Sequence, residues 1–181
     1  MRYALVAVTG LAALVGATLH LEASKPAWYA KHRYPLSYAH VIIGHARNYD
    51  LDPALLAAVI YRESKFDPDA RSRSGAIGLM QLLPDTARGI AVHTGGVKFV
   101  VDDLRDPEIN VRYGAFYLRR LLRKYGDVEL ALAAYNAGQR NVDAWLAAGK
   151  GIAFAETREY VEDVVELRDV YARAYAKELR I

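Results

Sequence analysis

The segment that decides the fold spans residues 55–81 and reads LLAAVIYRESKFDPDARSRSGAIGLMQ. It follows Asp52 and Pro53, and an acceptor side chain followed by a proline is typical of the first residues of a helix. Apolar residues then recur at helical spacing along one face, and Glu63 continues that face. The sequence therefore predicts a helix over residues 53–64 with a carboxylate at the end of its apolar stripe.

Two interpretations of Glu63 are open at this point. A carboxylate on an apolar face is costly to ionise, so its pKa should be raised, which suits a general acid. Alternatively, the last turn of the helix frays, and Glu63 reaches solvent or pairs with Arg62 or Lys65. Helical periodicity alone does not choose between these interpretations, because structural carboxylates outnumber catalytic ones.

The residues after this glutamate extend the pattern to ESKFDPDARSRSGAIGLMQ. That run resembles the signature of the lytic transglycosylases of the soluble Slt type, which are relatives of goose-type lysozyme. The resemblance spans residues 35–175 and includes two further motifs. The matching residues are Glu63, Ser64, Ser72, Gly75, Ala76, Gly78, Leu79, Met80 and Gln81, then A-Y-N-A-G at 134–138, then the weaker set Thr157, Tyr160 and Val161.

The resemblance implies a mainly α, lysozyme-like fold and an enzyme that cleaves peptidoglycan. In that family one glutamate protonates the oxygen of the β-1,4 bond between MurNAc and GlcNAc. The C6 hydroxyl of N-acetylmuramic acid then attacks C1, which leaves a 1,6-anhydro-MurNAc end. Carried over to this chain, Glu63 would act first as the acid and then as the base.

The other two motifs and the loop are implied to form the substrate site. Gln81 and Asn136 would hydrogen-bond the sugar or its acetamido group, and Ser72 would orient either the glutamate or the substrate. Met80 would pack on the sugar or the glutamate. The tyrosines implied to shape the pocket are Tyr135 and Tyr160.

Two alternatives remain beside the transglycosylase. One is a hydrolytic muramidase on the same fold, which needs a second carboxylate as base or nucleophile. The nearest candidates in the sequence, Asp67 and Asp69, lie around Pro68, where turn and cap duties are expected of them. The other alternative is a non-catalytic protein that binds peptidoglycan as a scaffold, although it would have kept Glu63 and both long motifs.

Composition excludes several other classes of protein. The chain has 181 residues, a net charge of +3 and no cysteine, so it has no disulfide or thiolate metal site. It has no arginine-rich block and no nucleic-acid motif, which argues against nucleic acid as a partner. Its five histidines form no HExxH-like pair. We therefore expect no metal and no cofactor. We also expect a monomer, and the resemblance implies peptidoglycan glycan strands as the partner.

The N-terminus predicts attachment to a membrane. Residues 3–21 form an apolar run long enough, at about 28 Å as a helix, to cross the hydrocarbon core. Small residues are poorly placed for signal cleavage, which favours an uncleaved anchor over a signal peptide. Basic residues after the run would favour a cytoplasmic location for the segment that follows it. The prediction that the domain faces outward therefore depends on the substrate that the resemblance implies. The predicted organisation is an anchor over 1–23, a juxtamembrane linker over 24–35 and a catalytic domain over 36–181.

The remaining sequence reads almost entirely as helix. Helix-start and helix-stop residues and apolar spacing predict a run of helices connected by short loops. The predicted spans are 36–48, 53–64, 84–93, 107–125, 128–137, 141–148 and 156–179, with a short helical turn at 79–83 and a short extended piece within 97–101. Strand signals are otherwise absent, so the predicted class is mainly α.

Overall fold

A computed structural model describes residues 15–16, 18–19, 21, 24–94, 96 and 98–181. Its contacts divide the chain into two compact units, Met1–Pro35 and Leu36–Ile181. The predicted anchor falls largely outside the described residues. Among the helices that the structure describes, none combines the length and the apolar character needed to cross a membrane.

The first unit contains a helix that the sequence did not predict. Helix α1 (Ala27–Arg33) lies within the segment expected to be a linker. It begins directly after Pro26, and its last turn contains three basic side chains. The basic side chains favour a helix here, because positive charge near the C-terminus interacts well with the helix dipole.

The second unit is built of helices joined by short loops, which confirms the mainly α class. No strand forms in the described part of this unit; it contains the isolated bridges Arg71–Ile77 and Ile77–Leu82. The elements are α2 (Ala39–Tyr49), α3 (Pro53–Ser64), α4 (Pro84–Thr94), a 3₁₀ helix (Val101–Arg105), α5 (Pro107–Tyr125), α6 (Val128–Ala137), α7 (Gln139–Ala147), α8 (Ala155–Ala174) and α9 (Ala176–Leu179).

Aspartate caps set the starts of three of these helices. The Asp52 carboxylate accepts from the amide of Ala54 at 2.8 Å, and that of Asp106 accepts from Glu108 at 2.8 Å. Asp127 accepts from the amide of Leu130 at 2.8 Å. These bonds satisfy amides that would otherwise be unpaired at the helix ends. The predicted spans of α3, α5 and α6 are therefore confirmed.

Predictions that lacked such a signal are wrong in detail. Helix α2 begins at Ala39 instead of residue 36, because Tyr38 adopts a left-handed conformation with φ of 56°. The expected single C-terminal helix breaks at Tyr175, where α8 ends and α9 begins. The expected helical turn at residues 79–83 is a tight turn instead, because Gln81 has φ of 46°. The 3₁₀ helix begins where an extended piece was predicted.

The core of the second unit surrounds α3. This helix packs most extensively against α8 and also contacts α2, while α5 packs against α2 and α6. Helix α6 contacts α8 as well, and each of these two helices places a residue beside Glu63, at the C-terminal end of α3. The largest fully buried side chains include Ile42, Leu56, Ile60, Leu79, Met80, Leu118, Leu121, Tyr113, Tyr160 and Tyr171. Glu63 therefore lies at the edge of the main core.

Candidate active site

The C-terminal end of α3 is tied to the following loop. Ser64 donates its hydroxyl to the carbonyl of Leu79 at 2.8 Å, so the residue beside Glu63 links the helix to the loop. The chain leaves the helix through two consecutive left-handed residues, Lys65 and Phe66. Phe66 is buried against the rings of Tyr61 and Tyr171. The last turn is thus held in place, which excludes the frayed interpretation.

The loop over residues 69–82 is closed by its own hydrogen bonds. The amides and carbonyls of Ile77 and Leu82 pair in both directions at 3.0 and 3.1 Å. The side-chain nitrogen of Gln81 donates to the carbonyls of Ala70 at 3.1 Å and Gly78 at 3.0 Å. The loop therefore presents a fixed surface rather than a mobile one to the space beside Glu63.

A buried asparagine on α5 fixes the same loop from below. Asn110 has no exposed surface, and its amide nitrogen donates to the carbonyls of Ile77 at 2.9 Å and Leu104 at 2.8 Å. Its side-chain oxygen accepts from the amide of Met80 at 2.8 Å. A Cβ on Gly78 would collide with Leu104 and Asn110, so only glycine fits at this point of the loop.

A cavity of about 470 Å³ opens beside the end of α3. Its wall is formed by the loop, the start of α4, the middle of α5, the end of α6 and the start of α8. The residues that line it are Glu63, Ser72, Ser74, Ala76, Gln81, Leu82, Leu83, Thr86, Tyr117, Tyr135, Asn136, Ala137, Gly138 and Glu156. A concave site with a few convergent polar groups is the usual form of a ligand-binding site.

The electrostatics of Glu63 suit an acid that works near neutral pH. Burial raises the pKa of Glu63 from 4.5 to about 7. The hydroxyl of Tyr160 donates to its Oε1 at 2.7 Å, and this bond and the charge of Arg62 lower the pKa in part. A group whose pKa lies close to the working pH is both protonated often enough and acidic enough to transfer a proton.

Two tyrosines on neighbouring helices surround this carboxyl group. Burial and the charge of Glu63 raise the pKa of both Tyr135 and Tyr160 well above the ordinary value. Both phenols therefore remain protonated donors. Tyr135 donates to the carbonyl of Met80 at 2.8 Å, and its ring lies 5.5 Å from that of Tyr117. The carboxyl group thus lies among phenols that hold their protons.

The two amide side chains in the cavity have complementary free ends. The nitrogen of Gln81 is used within the loop, which leaves its oxygen to accept a hydrogen bond. The oxygen of Asn136 accepts the hydroxyl proton of the buried Thr157 at 2.8 Å, which leaves its nitrogen to donate. A ligand with one donor and one acceptor, such as an acetamido group, matches this pair.

The structure brings most of the predicted site residues together. Glu63, Ser72, Gln81, Tyr135 and Asn136 all line the cavity, while the Tyr160 hydroxyl contacts the glutamate from α8. Met80 is placed differently, because it is fully buried and its sulfur packs against Gly114. The ligand contacts of all these side chains stay predictions.

Other residues of the site were not found from the sequence. Glu156 is a second carboxylate in the cavity wall, and Tyr117 is a further aromatic residue there. Thr157 was seen as part of a motif but not as the partner of Asn136. Asn110 stands inside an ordinary helical sequence, so no local signal marks it. In the part of the chain that the structure describes, no group of three or more His, Cys, Asp or Glu side chains could hold a metal ion.

Comparison with known proteins agrees with this geometry. Residues 40–156 match the family described as Transglycosylase SLT domain. The chain belongs to this family. Two solved transglycosylases have the same fold. A lytic transglycosylase Slt of Pseudomonas aeruginosa, solved as an inactive glutamate-to-glutamine mutant, has a TM-score of 0.74 at 34% identity and covers 80% of this chain and 25% of its own. The 70 kDa soluble lytic transglycosylase of Escherichia coli has a TM-score of 0.76 at 29% identity, with coverage of 83% and 26%.

Curated SLT relatives include soluble and membrane-bound enzymes. The soluble lytic murein transglycosylase of Salmonella typhimurium is 32% identical over 163 residues, which are 81% of this chain and 24% of that protein. The membrane-bound lytic murein transglycosylase F of Yersinia pestis is 42% identical over 109 residues, or 56% of this chain and 20% of its own length. This chain therefore spans about a quarter of the length of these relatives.

Proposed function

We propose that this chain is a lytic transglycosylase that cleaves the β-1,4 bond between MurNAc and GlcNAc in peptidoglycan. The observation that carries the proposal is Glu63, a carboxyl group with a pKa of about 7 that lines the cavity of an SLT-family domain. Curated relatives bear the name murein transglycosylase, and a solved relative was made inactive by a glutamate-to-glutamine change.

The proposed reaction uses Glu63 twice. Its protonated carboxyl group gives a proton to the glycosidic oxygen, and the bond from that oxygen to C1 of MurNAc breaks. The C6 hydroxyl of the same sugar then forms a bond to C1, and the ionised Glu63 takes up the hydroxyl proton. The carboxyl group ends as it began, and no water is consumed. Attack from within the substrate has a high effective concentration, so no second carboxylate is required.

The other cavity residues would bind the sugars. In this proposal Gln81 accepts from, and Asn136 donates to, the sugar or its acetamido group. Ser72 orients the substrate from the loop. Tyr160 holds the carboxyl group of the glutamate, and Tyr135 stands between the loop and the cavity. Met80 acts beneath the loop, since its side chain is buried.

A hydrolytic muramidase is the second candidate, and Glu156 is the observation that favours it. This exposed carboxylate lies in the wall of the same cavity as Glu63. An inverting hydrolase needs a base across the sugar from the acid, and a retaining one needs a nucleophile there. Under the transglycosylase proposal Glu156 takes neither role, so Glu156→Gln should leave most of the turnover intact.

Digestion of purified peptidoglycan tests the enzymatic proposal. Glu63→Gln keeps the size of the side chain but has no proton to give, and removing general acid–base catalysis lowers rates by about 10²–10⁴-fold. Because one group serves both steps, we expect a loss at the upper end or beyond. Glu162→Gln, an exposed change on α8, is the matched control and should retain full activity. More than a tenth of wild-type turnover in Glu63→Gln would refute the role of this residue, and a wild-type protein that binds but never cleaves would be a scaffold.

We also propose that residues 1–23 attach the domain to a membrane, with the domain on the cell-wall or periplasmic side. The apolar run and the existence of a membrane-bound relative support this location. The full-length protein should then fractionate with membranes, and deletion of residues 1–23 should release an active protein. A mature N-terminus near Ser24 would instead show cleavage and secretion. Protease access in spheroplasts tests the orientation.

A further inference from the structure

A tight turn at the rim of the cavity holds an arginine between two lining residues. Ser72 and Ser74 both line the cavity, and the exposed Arg73 lies between them. The amide of Ser72 donates to the carbonyl of Ala76 at 3.0 Å, and the amide of Gly75 donates to the carbonyl of Ser72 at 3.1 Å. The hydroxyl oxygens of the two serines are 2.9 Å apart. The backbone of Arg73 is therefore fixed at the edge of the site.

The guanidinium group of this arginine is available for a ligand. Two arginines near the loop are already paired: Arg105 with Asp69 at 2.6 Å, and Arg62 with Asp163 at 2.8 Å. Arg71 is exposed and has no ion pair among the described residues, but only Arg73 lies between two residues that line the cavity. Among the residues that the structure describes, Arg73 has no hydrogen bond or ion pair. An arginine that has no ion pair to break can bind a planar anion directly with its parallel N–H groups.

The charges in the cavity indicate where such an anion would lie. The described residues that line the cavity include two carboxyl groups, Glu63 and Glu156, and no cationic side chain, so the interior offers an anion no partner of opposite charge. The rim beside Arg73 is the favourable place. A ligand that matches this pattern has a neutral part for the interior and a carboxylate on a branch that leaves the cavity over the turn.

Peptidoglycan has this form, because the lactyl group of muramic acid bears a peptide that ends in carboxylates. This inference rests on the proposed function. We propose that Arg73 is a specificity-determining residue that binds a carboxylate of the peptide stem on the muramic acid held beside Glu63. An extended peptide advances about 3.3–3.6 Å per residue, so a stem of a few residues reaches well beyond the cavity rim.

The test compares two substrates made from one preparation of glycan strands. One keeps uncrosslinked peptide stems, and the other has lost them to an amidase that leaves only the lactyl carboxylate. We expect Arg73→Gln to lower kcat/KM on stem-bearing strands by roughly fivefold to tenfold, mostly through a higher KM. The reason is that a charge-assisted hydrogen bond to the carboxylate is stronger than a neutral one. Arg73→Lys should recover part of the loss. On stem-free strands the ratio of wild type to Arg73→Gln should be close to one.

Arg173→Gln provides the matched control, because this exposed arginine lies on α8 about 25 Å along the axis from Glu156. It changes the net charge equally and should behave like wild type on both substrates. Equal kcat/KM for Arg73→Gln and wild type on stem-bearing strands overturns the inference while the proposed function stands. A loss that persists on stem-free strands overturns the stem assignment in favour of the lactyl carboxylate. A wild-type protein inactive on both substrates overturns the proposed function itself.

Discussion

Asn110 and Glu63 are polar side chains at the edge of the same core, but their surroundings differ. Asn110 is fully buried, and both ends of its amide are bonded, two carbonyls to the nitrogen and one amide to the oxygen. Glu63 accepts one bond from Tyr160 and opens on the cavity. A satisfied neutral group costs little to bury, whereas an under-bonded carboxyl group holds its proton more tightly.

This difference in bonding indicates different roles. Asn110 holds the site in shape, whereas Glu63 would take part in the reaction. Met80 connects the two regions, because its amide donates to Asn110 and its carbonyl accepts from Tyr135. The asparagine thus sets the position of the loop and, through it, of a phenol near the glutamate. Rigid support of this kind beneath the functional residues is expected at a preorganised site.

The largest effect on stability is expected from Asn110→Ala. The change leaves the carbonyl of Leu104 and the amide of Met80 without their Asn110 partner, whereas the carbonyl of Ile77 keeps the amide of Leu82. Each unsatisfied group costs about 1–3 kcal/mol, so two of them should lower the free energy of unfolding by roughly 2 kcal/mol or more. Urea denaturation measures this, with the exposed Asn48→Ala on α2 as the control. A loss below about 1 kcal/mol would mean that the loop is held by other contacts.

Glu63→Gln should have the opposite effect on stability, and only at high pH. The folded state binds the Glu63 proton with a pKa of about 7 against an ordinary 4.5, so wild-type stability falls as pH rises through this interval. Glu63→Gln lacks this loss, so above pH 8 its free energy of unfolding should exceed that of the wild type by at most about 3 kcal/mol. The difference between the two proteins should vanish near pH 4. Thermal unfolding across this range measures it. A difference that does not depend on pH would show that Glu63 titrates normally.

The smallest expected effect is that of Tyr160→Phe on the pH profile. The phenol stabilises the charged carboxylate and so lowers the pKa of Glu63, and its loss should raise that pKa further. Because the acid must be protonated, kcat/KM falls above its pKa, and the falling limb should move to higher pH. Tyr49→Phe, which keeps its ring contact with Phe116, is the control. A limb that stays in place or moves to lower pH would refute the role of this hydrogen bond.

Local signals in the sequence were sufficient for much of the fold. Asp-Pro pairs and apolar spacing set the bounds of α3 and α5, and the caps at these helices form as expected. The identity of the candidate acid followed from the same spacing and from the motif after it. The turn at Gln81 was missed because a non-glycine residue with positive φ leaves no mark in the sequence.

Contacts between distant segments could not be predicted. Asn110 lies 33 positions after Ile77 and 30 positions after Met80 in the sequence. Its neighbours in the sequence are those of any helix, so nothing nearby predicts these contacts. Glu156 was overlooked as a carboxylate of the site because it lies far along the chain, at the start of α8. The sequence argument against hydrolysis was that no second carboxylate could be named near Glu63. That argument no longer holds, because Glu156 lines the cavity.

The chemistry of the new glycan ends therefore decides between the two reactions. Peptidoglycan digested by the purified wild-type protein should be separated and its fragments weighed by mass spectrometry, before and after borohydride reduction. If Glu63 acts as acid and then base, the muramic acid ends will be 1,6-anhydro sugars, lighter than hydrolysis products by one water and inert to reduction. Mainly reducible muramic acid ends, lost on Glu156→Gln, would contradict the single-carboxylate mechanism and establish a hydrolase.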